Sequence, residues 1–288
     1  MKIIRSKEKL RAKESLLIEE NEIFSVLTEK QGSSLFLGKY SLNQVVAVLR
    51  KKNLFRDAQK RKLWPLDFDM DSSEFPPLQR FQIFYKTKKP ENLIVDLKIR
   101  EGSFRPKDKI AMNFPIPEFR FLMLEWLTLQ NPLLRFSHGK TPLPGQVYPG
   151  LNLGRKIMDI FAYMARLNND DGILAFPAYF HNALLFSRNF RFFNPEKKGE
   201  ILAIRKSFPD VSFKKLAWIV HLNCLRRGDG STYEWKAEEQ VYPMNKTLKN
   251  YLDSREYKEK VIEAEREQSY FIDWECYRKK ARDAGVVS

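Results

Sequence analysis

The feature that most constrains this chain is Pro149-Gly150-Leu151-Asn152-Leu153-Gly154-Arg155, a glycine-bearing turn that runs directly into apolar residues at Ile157, Ile160, Phe161, Met164 and Leu167. That spacing places the apolar residues on one face of an α-helix. A turn opening such a helix exposes backbone N–H groups at the positive end of the helix dipole, a setting for phosphate or pyrophosphate. Bulky side chains would block the approach, and Gly150 and Gly154 leave it open. Beyond the helix, Asp170-Asp171-Gly172 forms a turn, Ile173 to Phe176 a buried strand that Pro177 ends, and residues 180 to 189 a short helix. Arg191-Phe192-Phe193-Asn194-Pro195 closes that helix ahead of another strand.

The order turn, helix, strand, helix, strand over residues 143 to 207 resembles the GNAT superfamily of N-acyltransferases. In that family the loop and first helix hold the CoA pyrophosphate, so the resemblance implies acetyl-CoA or another acyl-CoA as cofactor, bound by Gly150, Leu151, Asn152, Leu153, Gly154 and Arg155. It also implies an α/β fold, a GNAT-like mixed sheet flanked by helices, with extra N-terminal and C-terminal helical segments. The family's loop reads Arg/Gln-x-x-Gly-x-Gly/Ala. With the last glycine laid on Gly154, Asn152 takes the place of the middle glycine and Pro149 that of Arg/Gln. The second helix in the family carries a tyrosine that protonates the departing thiolate. Aligning Ala183 and Arg191-Phe192 with the family pattern places Ser187 there, and a hydroxyl without phenol acidity cannot take over that task. His181, just past the central strand where open α/β sheets meet ligands, is the candidate catalytic replacement. Its other reading is a histidine that caps or packs the helix.

The flanks read more plainly. Residues 7 to 30 and 42 to 63 carry helical apolar stripes, the second with a basic face from Arg50 to Lys62. Alternation at Phe81, Ile83 and Tyr85, and again at Leu93, Val95 and Leu97, predicts a hairpin. Residues 117 to 130 read as a buried helix, 133 to 136 as a short strand, 201 to 204 and 232 to 241 as strand-like, and 255 to 282 as one long helix. The expected organisation is a helical segment over 1–70, an α/β core over 71–210 and an α+β extension over 211–288.

No run of eighteen apolar residues occurs and the first residues are charged, so the chain reads as soluble and cytoplasmic, without a membrane partner. Cys224 and Cys276 are far apart in sequence and form neither a disulfide framework nor a CxxC site, which makes reduced thiols the default. His138, His181 and His221 lack metal-ligand spacing. His138 is a lesser catalytic candidate in the loop, and His221 reads as a core or near-core residue. Lysine and arginine exceed aspartate and glutamate by 51 to 36, a net charge of +15. That excess favours anionic partners without choosing among nucleic acid, an acidic protein, anionic lipid and a polyphosphorylated cofactor. The resemblance implies acyl transfer from a CoA thioester to an amine acceptor by direct attack, without a covalent enzyme intermediate, and the lack of a Ser/His/Asp or Cys/His signature agrees with it. The alternative is a non-catalytic module whose basic surface binds nucleic acid or an acidic protein.

Overall fold

The computed structural model describes residues 34–105, 118–137 and 140–286. Helix α1, Leu42–Lys51, opens at a capping box in which Ser41 and Gln44 bond each other's backbone N–H groups. The sequence pattern runs on to residue 63, but Asn53 takes a left-handed conformation and α2, Leu54–Lys60, starts after it. Strands β1, Leu66–Asp71, β2, Gln79–Tyr85, and β3, Leu93–Phe104, form an antiparallel meander that contains the expected hairpin.

The run read as a buried helix over 117 to 130 is instead strand β4, Phe119–Leu129. Its near-continuous apolar sequence suits a central strand covered on both faces, which periodicity alone does not distinguish from a buried helix. Helix α3, Gly154–Leu167, follows the glycine turn and leads to β5, Gly172–Ala175, and α4, Phe180–Phe186, as expected. After β6, Arg191–Phe192, the sequence read as strand-like near 201 lies inside helix α5, Pro195–Ser207. Pro195 at its first position and Asn194 as its cap start that helix.

The C-terminal third holds α6, Phe213–His221, β7, Leu225–Arg227, and β8, Gln240–Pro243, the only strand in the 232–241 region. Helix α7, Lys246–Asp253, comes next. The single helix expected over 255–282 is two: α8, Arg255–Glu267, and α9, Trp274–Asp283, separated by β9, Tyr270–Ile272, which pairs with β7. Residues 133 to 136 form no strand, and the helix expected over 7 to 30 lies outside the described residues.

Among the described residues seven strands make one mixed sheet in the order β1-β2-β3-β4-β5-β8-β6. Of the described strands only β4 and β5 run parallel, and β8 lies between β5 and β6, so the sheet draws on both sides of residue 210. Helix α3 seals one face by burying Ile157, Ile160, Phe161 and Met164, each contributing roughly 1.5–3 kcal/mol. Helices α7 and α8 cover the other face, and the Tyr251 and Tyr257 hydroxyls donate to the Phe193 and Phe192 carbonyls at 2.7 Å each. Among the described residues no helix is long and apolar enough to cross a membrane.

Candidate functional site

The two parallel strands part company. Strand β4 pairs with β5 only over Phe121 to Leu124, because β5 ends at Ala175 and Pro177 turns the chain away. The pairing of β4 with β3 continues to Leu129, past a register shift that leaves Glu125 unpaired. The gap closes again where the Leu151 N–H donates to the Leu129 carbonyl at 3.3 Å and the Asn131 N–H to the Pro149 carbonyl at 2.8 Å. Peptide groups alternate along a strand, so Leu127, two residues before Leu129, also turns its N–H and C=O into the gap. The result is a cleft of about 420 Å³ at the carboxyl ends of the parallel pair, the usual ligand position in open α/β sheets.

The glycine turn stands at the cleft's mouth. Asn152 adopts φ 55°, the left-handed conformation that asparagine tolerates and that lets it replace glycine. Leu151 and Leu153 are buried and anchor the turn, while Gly150 and Asn152 are exposed. Among the described residues no side chain caps α3, no acid lies in its first turn, and a Cβ added to Gly154 would meet nothing within 4 Å. Of the six loop residues expected to hold the cofactor, Gly154 and Arg155 line the cleft. Gly150 instead pairs with Gln130 to close it.

His181 lies in the first turn of α4, 4% exposed, on the wall between this cleft and a second cavity of about 530 Å³. Burial first, then the nearby His221, push its pKa down from 6.5 to about 4. The ring is therefore neutral near pH 7 and a weaker base than an ordinary histidine. His221 is exposed at the end of α6 and lines the second cavity, contrary to its reading as a core residue. His138 lies outside the described residues.

Sequence reasoning missed Tyr179. This half-buried residue precedes α4, stacks on His181 with ring centroids 5.3 Å apart, and lines both cavities. Its hydroxyl lies beside Gly145, where an added Cβ would come within 2.7 Å of it. The turn that carries it is held by Trp235, whose Nε1–H donates to the Pro177 carbonyl at 3.1 Å, and α4 by Gln240, whose Nε2–H donates to the Ala183 carbonyl at 3.1 Å. Ser187, on which the family's tyrosine falls, is exposed and donates to the Leu184 carbonyl at 2.7 Å. The signal for Tyr179 was available in Pro177-Ala178-Tyr179-Phe180-His181, a tyrosine entering a helix after a strand-ending proline.

No protein-family model matches the chain, and no curated protein matches it in sequence. Among solved structures it is similar to a tyrosine-to-phenylalanine mutant of the toxin AtaT bound to the C-terminus of the antitoxin AtaR and acetyl-CoA. The identity is 11% and the TM-score 0.29, over 77% of this chain and 93% of the other. It is similar as well to a tyrosine-to-phenylalanine mutant of KacT, at 10% identity and a TM-score of 0.29, over 75% of this chain and 92% of the other. Likeness at these values assigns no ligand and no residue role to this chain.

Proposed function

We propose that the protein transfers an acyl group from acyl-CoA to an amine acceptor. The observation that carries this reading is the divergence of β4 from β5 with the uncapped first turn of α3 at the opening. A pyrophosphate suits that helix end, where exposed N–H groups, the helix dipole and the open space over Gly154 coincide with Arg155. When bound, the CoA thioester supplies an activated carbonyl and a thiolate leaving group. The N–H of Leu127, directed into the cleft, is the backbone donor for the oxygen that gains charge as the amine attacks. The acceptor enters from the second cavity, which Tyr179 and His181 separate from the cleft and which Glu234, Trp235 and His221 also line. Tyr179 is the proton donor to the leaving sulfur, the part the family's second-helix tyrosine plays and Ser187 cannot. His181, neutral at physiological pH, positions the phenol by stacking.

Thermal unfolding with acetyl-CoA, and separately with free CoA, tests the reading. At about a hundred times its Kd a ligand bound only by the native state adds about 2.7 kcal/mol, a rise in midpoint of several degrees. Gly154→Trp fills open space rather than core and is expected to fold and abolish the shift. Absence of any shift in the folded wild type would overturn the proposal.

The alternative, a basic surface for nucleic acid or an acidic protein, is favoured by one observation: Arg50 and Lys51 on α1, Arg56 and Lys60 on α2, and Lys62 just beyond it stay exposed. Lys197 does not extend that surface, because it is buried against Glu200 and Trp235. Binding of this kind weakens steeply with salt, which specific CoA binding does not.

A further inference from the structure

The 52-residue separation of Cys224 and Cys276 gives no reason to pair them, yet the fold brings their Sγ atoms to 2.6 Å. Cys224 is fully buried between α6 and β7, and Cys276 is half-buried in the first turn of α9. Several contacts fix the approach. The Asp273 N–H donates to the Cys224 carbonyl at 3.0 Å, and the Asp273 carboxylate accepts from the Cys276 N–H at 2.9 Å. Arg226 clamps the same carboxylate at 2.9 Å, and Lys280 Nζ donates to the Leu222 carbonyl at 2.8 Å. An S–S bond measures roughly 2.05 Å, so closure asks for about half an ångström of movement between backbones already held together.

We propose that Cys224 and Cys276 are a redox modification site, closed to an intramolecular disulfide by hydrogen peroxide and reopened by a thiol reductant. The Cys276 sulfur, the more accessible, attacks one peroxide oxygen: an S–O bond forms, the O–O bond breaks, and water leaves as a sulfenic acid is made. The Cys224 sulfur then attacks the Cys276 sulfur; the S–S bond forms, the S–O bond breaks, and hydroxide departs with the thiol proton as a second water. Two electrons pass from the thiols to peroxide. Burial, with Cys276 adding to it, pushes the Cys224 thiol up to about 12, so Cys224 waits as a protonated thiol until its partner is oxidised. Closure ties α9 to the loop that carries Asn223, a residue of the second cavity wall.

The test is independent of the acyl-transfer reading. The full chain, reduced and then treated with stoichiometric hydrogen peroxide, is followed by intact mass, non-reducing peptide mapping and thermal unfolding. The expected product is a monomer lighter by two hydrogens, with the Cys224 and Cys276 peptides joined, reversed by dithiothreitol. Its midpoint is raised on the order of 10 °C because the cross-link restricts the unfolded chain. Cys276→Ser gives neither change, and if that variant fails to fold, the peptide map of the wild type still decides. Oxidation that proceeds to sulfinic acid, or that joins two chains and leaves the internal pair open, overturns the proposal.

Discussion

Two of the cavities share Leu127 in their walls, yet they differ in chemistry more than in size. The chamber enclosed by α1, α3 and the sheet holds about 330 Å³, is lined by residues such as Val45, Leu97, Leu127, Ile160 and Met164, and presents almost no polar surface. The cleft where β4 and β5 part holds about 420 Å³ and brings together a helix N-terminus, an unpaired strand edge, Arg155, Tyr179 and His181. Apolar groups line the chamber almost throughout, whereas the cleft is framed by backbone whose usual partners have ended. Function is therefore sought where secondary structure stops pairing. Volume by itself does not find it.

The largest effect that would sharpen this contrast is at Tyr179. Tyr179→Phe keeps the ring that stacks on His181 and removes the proton, so kcat should fall about 10²–10⁴-fold with KM for acetyl-CoA nearly unchanged. Steady-state kinetics with an amine acceptor measure this. A rise in KM alone would make Tyr179 part of the binding wall and remove it from proton transfer.

The turn, helix, strand and helix around the cleft were legible because glycine, proline and a 3.6-residue apolar period mark their ends and faces. Strand β4 was not: its apolar run, paired on both edges, carries no alternation to separate it from a buried helix. The C-terminal pattern hid β9 because Phe271, Trp274 and Tyr277 extend the apolar stripe of Val261 and Ala264 at helical spacing, while pairing with β7 and the Asp273 cap impose the break and bury Tyr270 and Ile272 instead. Gly199 was equally silent. In the fold it lets α5 meet α8, where an added Cβ would come 2.6 Å from the Val261 carbonyl. At the site, the loop declared itself through its glycines. Tyr179, the proton donor of the proposed mechanism, and the cysteine pair did not, since the first lies before the helix in which a tyrosine was sought and the second depends on contact across a long stretch of chain.

A second contrast separates the two ends of β5, where each side holds a buried titratable group. Asp170, next to the network of Tyr40, Asn168 and Glu101 bordering the chamber, has both carboxylate oxygens unpartnered among the described residues. Burial first, then Glu101, raise its pKa from 3.8 to about 6. The folded state then holds a proton that the unfolded chain releases, so the stability Asp170 contributes is present near pH 4 and lost as pH rises through 6. His181 runs the other way: depressed from 6.5 to about 4, it supports the fold above pH 6.5 and loses that support as pH falls through 4. Each contribution is of order 3 kcal/mol, and the two oppose each other across the same window. Asp170→Asn should therefore unmask a stability that rises between pH 4 and 6.5, and His181→Asn one that falls. Denaturant midpoints at several pH values read both slopes, and parallel pH curves for the two variants would refute the assignment of the window to these groups.

The smallest expected effect belongs to the chamber and bears most directly on the comparison. Val45 is a half-buried residue of α1 that faces the empty apolar volume. Val45→Phe adds a ring there without touching the cleft, and because the ring enters open apolar space the change in stability should stay near the low end of the roughly 1–3 kcal/mol that added volume costs a packed core, with either sign depending on how well the ring packs. The midpoint shift produced by acetyl-CoA should be the same in the variant as in the wild type, since the proposed ligand site is the cleft and Val45 lines only the chamber. A variant that remains folded but loses the shift would place part of the ligand in the chamber, and the distinction between a packing void and a binding cleft would have to be drawn elsewhere in the molecule.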